Sequence, residues 1–256
     1  GTDQAYLRFR EELPKVSTSI VALGLITENI NRIVNRYRPY YSDLTAHTLT
    51  KPRFILRGGT RELIENPVRN ENEIDKLLDP KFVESLGEND WWFRRDETPA
   101  LSFPYTAILL NQRFWLDILH RRDGGQINDL SPQPRINLWD YPPARDLMFS
   151  ILDSFMEESK AAGKAPFINV LPFRGQVLFQ MQGRNPKHIA MICSYCRSRG
   201  YPCFNGAEAL AKHVHTEAEV DKLFDYHFTA LGNKIIAEEL HSFLIDQKLI
   251  GQPINK

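Results

Sequence analysis

The sequence has little of what marks several large classes of protein. Its 256 residues include 3 cysteines, far below the density of a small secreted domain stapled by disulfides. Its 32 lysines and arginines are balanced by 32 aspartates and glutamates, so no net charge attracts it to nucleic acid or anionic lipid. No apolar run reaches the roughly 18 residues that a membrane span needs. These shortages predict a globular, intracellular protein that spans no membrane.

The motifs of common catalytic sites are missing as well. The sequence contains no Gly-x-Gly-x-x-Gly, no Walker loop, no Gly-x-Ser-x-Gly and no His-Glu-x-x-His. The glycine doublets Gly58-Gly59 and Gly124-Gly125 suit turns without any function. We therefore predict no cofactor. A serine or threonine nucleophile stays open, because the members of a triad meet in space and not in sequence.

All three cysteines lie between residues 193 and 203, with His213 and His215 close behind. Paired thiolates and imidazoles suggest a zinc site, but Cys193 and Cys196 continue the apolar stripe of a predicted helix. Free cysteine is among the most buried residue types. We therefore predict that these cysteines pack in the core and that no metal is bound.

Strand-like and helix-like segments alternate along the chain, which predicts an α/β fold. Residues 17–26 are predicted as a strand. In the second half, residues 167–173 and 176–181 are predicted as two strands joined by a hairpin, followed by a helix, a short strand at 201–204 and a helix at 207–213. Thr216 and Glu219 have the spacing of a capping box, which predicts the start of a longer helical stretch.

The chain is predicted to form a single domain over residues 1–256, because its composition does not change abruptly. A charged stretch at 62–100 is predicted as a loop or insertion, and the Pro-, Asn- and Asp-rich stretch at 126–143 as a loop. A mixed α+β single domain is the alternative fold class.

Arginines adjoin aromatic residues at several places, for example at Arg36-Tyr37-Arg38. Guanidinium groups pair with phosphate and aromatic rings stack on bases, so such segments are typical of single-strand binding. Arginine stems also pack on aromatic rings in any globular protein. The candidate contacts for RNA or a protein partner are Trp91, Trp92, Arg94, Arg95, Arg121 and Arg122.

One family resemblance rests on a stretch of consecutive segments: the run from Asn169 to Leu178, then Asn185-Pro186-Lys187, a helix to Arg199 and Gly200-Tyr201-Pro202. This stretch resembles the last strand–strand–helix–strand module of the dimethylarginine dimethylaminohydrolase family. The resemblance implies the pentein fold, a propeller of five ββαβ modules around a guanidine-binding channel. The chain length suits five modules of roughly 50 residues each.

That family places its nucleophilic cysteine beyond this module, near the carboxyl terminus, whereas this sequence has no cysteine after Cys203. The resemblance therefore implies a protein without the family's catalysis. It implies a scaffold or adaptor subunit of an RNA-processing complex, of the kind found in mitochondrial RNA editing in kinetoplastids. Its partners would be other protein subunits, with RNA contacted indirectly, and its location would be the mitochondrion.

Two other functions stay open. The first is a hydrolase of guanidino or arginine-derived small molecules, in which Cys203 or a serine attacks the substrate. The second is an autonomous single-stranded RNA-binding protein that uses the arginine pairs Arg94-Arg95 and Arg121-Arg122.

Overall fold

A computed structural model describes residues 1–41, 49–93 and 137–250. The chain divides into two compact units, one formed by residues 1–29 with 148–256 and the other by residues 30–147. Within the described residues, no helix is both long and apolar enough to cross a membrane.

The strands are, in chain order, β1 (Ile20–Leu25), β2 (Arg53–Arg57), β3 (Thr60–Ile64), β4 (Ala165–Val170), β5 (Cys203–Asn205), β6 (Phe224–Asp225) and β7 (His227–Phe228). The α-helices are α1 (Thr2–Glu12), α2 (Asn29–Ile33), α3 (Arg38–Tyr41), α4 (Pro80–Leu86), α5 (Pro142–Ala161), α6 (Arg174–Met181), α7 (Lys187–Ser198), α8 (Gly206–Ala211), α9 (Glu217–Asp221) and α10 (Ala230–Asp246). Short 3-10 helices cover Leu13–Lys15, Glu71–Leu78 and Gly87–Asn89.

The first unit is built on a three-stranded parallel sheet with the order β1, β4, β5. Ile20 lies opposite Ala165, and Ile168 lies opposite Cys203. Parallel strands need long crossover connections, and the one between β4 and β5 contains α6 and α7. The predicted α/β class is confirmed at this level, as a mixed helix and strand fold with a small parallel sheet.

One face of this sheet packs against α7, and α5 packs beside α7. Cys203, on the same face as Ile168, touches Cys193 of α7. The rings of Phe149 on α5 and Tyr195 on α7 stack at 3.8 Å. The helix stripes that meet here are apolar and fully buried, which places the main core on this side.

The other face packs against α10. The ring of Phe243 lies 5.8 Å from that of Phe167 and 5.6 Å from that of Phe204. Around these rings a second cluster of buried side chains joins α6, α8, α9 and α10: Val177, Ala209, Leu210, Val214, Val220, Leu223 and Ile236.

The second unit contains the β2–β3 hairpin and a buried acidic residue. Gly58 and Gly59 both have positive φ, which a two-residue hairpin turn requires. Asp90 accepts hydrogen bonds from the backbone N–H groups of Arg36, Tyr37 and Trp92 and from the side chain of Asn35. It thereby ties the chain after α4 to the loop after α2.

The structure corrects the prediction for residues 176–181. They belong to helix α6, not to a strand, so two consecutive helices follow β4 where a strand and then a helix were predicted. A propeller of ββαβ modules is accordingly not shown by the described residues. Short helices occupy much of the predicted insertion at 62–100, and α5 starts at Pro142, inside the predicted loop at 126–143. The single-domain organisation stays a prediction.

Candidate functional site

The carboxyl ends of β1, β4 and β5 lie along one edge of the sheet in the first unit. These strands end at Leu25, Val170 and Asn205. Parallel strands point in the same direction, so the segments that follow them gather at that edge. Ligands of open α/β sheets bind there, outside the carboxyl ends of the strands.

Gln176 joins two of these segments. Its Nε2 donates to Oγ1 of Thr27 at 2.8 Å, and its Oε1 accepts from the backbone N–H of Phe173 at 2.9 Å. Thr27 and its neighbour Glu28 are buried although both are polar. Burial of polar side chains is unfavourable unless hydrogen bonds satisfy them. The edge therefore has a polar interior directly beyond β1.

Arg174 connects the loop after β4 to helix α9. Its Nε lies 2.5 Å from Oδ1 of Asp221, and its Nη2 lies 2.7 Å from Oε1 of Glu217. These hydrogen bonds, first the one to Asp221 and then the one to Glu217, raise the pKa of Arg174. Exposed ion pairs add little to stability, but a forked guanidinium fixes geometry. Helix α9 is thus held at the same edge of the sheet.

Helix α10 runs back over the sheet from this edge. A Cβ added to Gly206, the first residue after β5, would lie 3.4 Å from Cδ1 of Ile236. Phe243, further along α10, reaches Phe204 and also Phe167, which lies deeper in the sheet. The direction of α10 therefore points its first turn, and the β6–β7 hairpin just before it, toward the carboxyl edge.

Tyr226 forms the tip of this hairpin and has an unusual backbone. Its φ is 59°, and its side chain is 85% exposed. The left-handed conformation costs a residue with a side chain about 1–2 kcal/mol. Among the described non-glycine residues, Lys248 also has positive φ. Such strain is concentrated at functional sites, where the surrounding structure maintains it.

Asp225 and His227 flank Tyr226 and lie directly opposite each other on β6 and β7. Residues in this relation share a face, with Cβ atoms about 4.5–5.5 Å apart. The His227 ring packs against the edge of the Tyr226 ring at 4.9 Å. A carboxylate beside an imidazole can orient the ring and stabilise it when it takes a proton. The hairpin thus places a carboxylate and an imidazole on one exposed face.

Replacing Tyr226 with asparagine is expected to raise the free energy of unfolding by about 1 kcal/mol, because asparagine tolerates the left-handed conformation. Little burial is lost, since the ring is exposed. Urea denaturation measures the change. Tyr226→Phe keeps the backbone demand and is the matched control, with unchanged stability expected. An asparagine variant less stable than the wild type would show that Tyr226 is not strained.

Trp91 and Trp92, predicted as RNA or partner contacts, serve the second unit internally. Trp92 is buried, and its Nε1 donates to the carbonyl of Asn31 at 2.9 Å. The Trp91 ring lies 4.4 Å from the ring of Tyr141. In this arrangement Trp92 offers no ring face for base stacking. The contact role stays a prediction, and its remaining residues lie outside the described part of the chain: Arg94, Arg95, Arg121 and Arg122.

Arginines elsewhere in the second unit stack on the protein's own rings. The guanidinium of Arg38 lies 4.8 Å from the ring centre of Tyr41, and that of Arg61 lies 4.9 Å from the ring centre of Phe54. Such pairs stabilise the fold modestly. The arginine and aromatic pattern at these two positions is accounted for by packing.

The cysteines lie apart from the hairpin, between α7 and β5. Cys196 is buried in the helix, as predicted, while Cys193 and Cys203 are half-buried. Hydrogen bonding to Cys193, then to Cys196, together with burial raises the pKa of Cys203. A thiol with a raised pKa is a weak nucleophile at neutral pH. Groups of three or more metal-binding side chains are absent from the described residues.

The sequence did not single out Asp225 or His227. Its one local signal is the alternation of aromatic and polar residues from Phe224 to Phe228, which is typical of a short strand pair. A positive φ at a tyrosine cannot be inferred from such a pattern, since tyrosine normally avoids it.

No family model, no curated protein and no solved structure matches this chain. The geometry of the carboxyl edge is therefore the basis on which a function can be assigned.

Proposed function

We propose that the carboxyl edge of the parallel sheet is a small-molecule site, at which Asp225 and His227 transfer protons during hydrolysis. His227 takes a proton from water or from a hydroxyl group and returns it to the leaving group. Asp225 holds the imidazole in position and stabilises its positive charge. This proposal develops the hydrolase alternative of the sequence, with a different acid–base group from Cys203.

The observation that carries the proposal is the strained Tyr226 between these two residues. The β6–β7 hairpin pairs two residues on each side of Tyr226, so it is a weak structural element. With glycine or asparagine at its tip, the hairpin would be more stable. Backbone strain of this kind is concentrated at functional sites, which is why we place the function beside Tyr226. The fork between Arg174 and α9 fixes the helix that precedes the hairpin in the chain.

His227→Ala is expected to lower kcat/KM for hydrolysis at least about 100-fold, because general acid–base catalysis contributes about 10²–10⁴-fold. The probes are 4-nitrophenyl acetate, for ester hydrolysis, and dimethylarginine, for guanidine hydrolysis. Asp225→Asn removes the charge that orients His227 and is expected to lower the same constant. Release of 4-nitrophenol and of dimethylamine measures the two reactions.

His241→Ala is the matched control, since His241 is an exposed histidine on α10, beyond the hairpin. Its activity is expected to equal that of the wild type. A His227→Ala variant with the same turnover as the wild type would overturn the proposal. A wild-type chain that hydrolyses neither probe would also overturn it.

A second candidate function is binding to protein partners, as predicted from the sequence. Ile74 is 44% exposed and Leu78 is 81% exposed, and both belong to the 3-10 helix Glu71–Leu78 of the second unit. Each of the two side chains leaves apolar surface in solvent, of the kind that a protein partner covers. Failure of hydrolysis by the wild-type chain would favour this function.

The pentein propeller and a subunit role in an RNA-processing complex are more specific proposals that rest on the family resemblance alone. Helix α6 occupies the position of the second strand in the module that carried this resemblance. Salt-dependent binding of RNA to the intact chain distinguishes direct from indirect RNA contact, because phosphate contacts weaken steeply as salt rises.

A further inference from the structure

Cys193 and Cys203 bring two sulfur atoms close together at a fixed place in the fold. Their Sγ atoms lie 3.0 Å apart, and both cysteines are free and half-buried. Cys193 lies in the middle of α7 and Cys203 is the first residue of β5. The turn between them is closed by a hydrogen bond of 2.8 Å from the Tyr201 N–H to the Cys196 carbonyl. Neither sulfur depends on a long flexible side chain for its position.

The separation of the two sulfur atoms fits a covalent bond better than a shared metal. A disulfide requires about 2.05 Å, so the atoms need to approach by about 1 Å. Two thiolates on a tetrahedral zinc ion, each at about 2.3 Å, are separated by about 3.8 Å and would have to move apart. The third cysteine, Cys196, is fully buried and makes a poorer partner for an external oxidant.

We propose that Cys193 and Cys203 form a reversible intramolecular disulfide when the protein meets a small disulfide oxidant such as oxidised glutathione. The Cys193 thiolate attacks one sulfur of the oxidant, a mixed disulfide forms and one glutathione thiolate leaves. The Cys203 thiolate then attacks Sγ of Cys193 and expels the second glutathione thiolate. The two protons lost by the cysteines are taken up by the two glutathione thiolates. Two protein thiols are oxidised and one glutathione disulfide is reduced.

The environment of each sulfur decides which cysteine attacks first. The hydrogen bond with Cys203 lowers the pKa of Cys193, whereas the same contact and burial raise the pKa of Cys203. The thiolate is the reactive form, so Cys193 is the attacking group and Cys203 the resolving group. This inference is independent of the proposed hydrolase site, which contains no cysteine.

The intact chain is incubated with oxidised glutathione, treated with iodoacetamide under denaturing conditions and weighed by mass spectrometry. We expect one alkylated cysteine after oxidation and three after reduction. Trypsin places Cys193 and Cys196 in the peptide 188–197 and Cys203 in the peptide 200–212. A disulfide that joins these two peptides is therefore distinguished from one within the first.

Single serine variants assign the bond and the order of attack. In Cys203→Ser, the reaction is expected to stop at the mixed disulfide, with one glutathione attached to Cys193. Cys193→Ser is expected to form neither a disulfide nor an adduct at Cys203. Cys196→Ser is the matched control and is expected to form the disulfide as readily as the wild type.

Three outcomes would overturn the proposal. One is a disulfide that requires Cys196. Another is a wild-type chain that keeps three alkylated thiols at an oxidant concentration that fully modifies Cys203→Ser. The last is a Cys203→Ser variant that takes up no glutathione. Because all readouts are thiol counts, failure of hydrolysis by the same preparation leaves this test unaffected.

Discussion

Asp90→Ala is expected to lower the free energy of unfolding by about 3–5 kcal/mol, the loss seen when one partner of a buried charged network is removed. Asp90 is 7% exposed and accepts four hydrogen bonds, three of them from backbone N–H groups. Alanine leaves these donors without an acceptor in a buried site, and each donor that water does not reach lowers the stability by about 1–3 kcal/mol. Urea denaturation monitored by tryptophan fluorescence measures the loss, because Trp92 lies beside the network.

Asp90→Asn is the control that separates charge from hydrogen bonding. Asparagine keeps one acceptor oxygen and replaces the other with an NH₂ group, so a smaller loss is expected. Asp79→Ala removes an exposed helix cap at α4, worth about 1 kcal/mol. An Asp90→Ala chain that is no less stable than Asp79→Ala would show that the loop between α2 and α3 holds its shape without Asp90.

The network also has a pH dependence of defined sign. Burial raises the pKa of Asp90 above 3.8, its ordinary value, and outweighs the lowering by hydrogen bonds and by Arg53. Between pH 3.8 and the pKa of Asp90 in the folded chain, the folded chain therefore binds more protons than the unfolded chain. Stability from this group is fully present below pH 3.8 and is lost as pH rises through the folded pKa. Asp90→Asn is expected to remove that slope.

Gly232→Ala is expected to lower the free energy of unfolding by about 2 kcal/mol, within the range for overpacked sites. Propensity alone predicts the opposite, since alanine in a helix is favoured over glycine by about 1 kcal/mol. A Cβ at Gly232 would lie 2.5 Å from the carbonyl oxygen of Leu223. That oxygen belongs to the backbone and already accepts from the Thr229 N–H, so it cannot turn away freely.

Gly24→Ala is the matched control for Gly232→Ala. A Cβ at Gly24 meets nothing within 4 Å, and the residue is exposed on β1. Unchanged or slightly raised stability is expected there, because alanine loses less conformational freedom than glycine. Equal effects of the two substitutions would contradict the close packing of α10 on Leu223. Thermal unfolding followed by circular dichroism measures both.

The elements that were predicted well are those whose signals are local. The Thr216 hydroxyl accepts from the Glu219 N–H, and the Glu219 carboxylate accepts from the Thr216 N–H, which is the predicted capping box. The hydrogen bonds from the backbone N–H groups of His215 and Thr216 lower the pKa of Glu219, outweighing the effect of burial. Strand β1 was predicted from its apolar composition alone.

Helix α6 was predicted wrongly because its apolar residues do not distinguish a strand from a helix. Val177, Leu178, Phe179 and Met181 are compatible with both in so short a run. The deciding interaction is the Gln176 side chain, which accepts from the Phe173 N–H at the start of the helix and donates to Thr27. Thr27 is 149 residues away in sequence, so one of the two hydrogen bonds of Gln176 is a tertiary contact that the local sequence does not reveal.

The order in which the chain is synthesised gives the pairing of β1 with β4 a further consequence. Ile20 pairs with Ala165, and residues 30–147 between them form a compact unit that is continuous in sequence. At about 5–20 residues per second, a ribosome needs roughly 7–30 s to advance from one strand to the other. The second unit can fold in that interval, whereas β1 has no neighbouring strand. The first strand of the sheet to be made thus gains its neighbour late, and its apolar residues lack their sheet partner until Val170 has been synthesised.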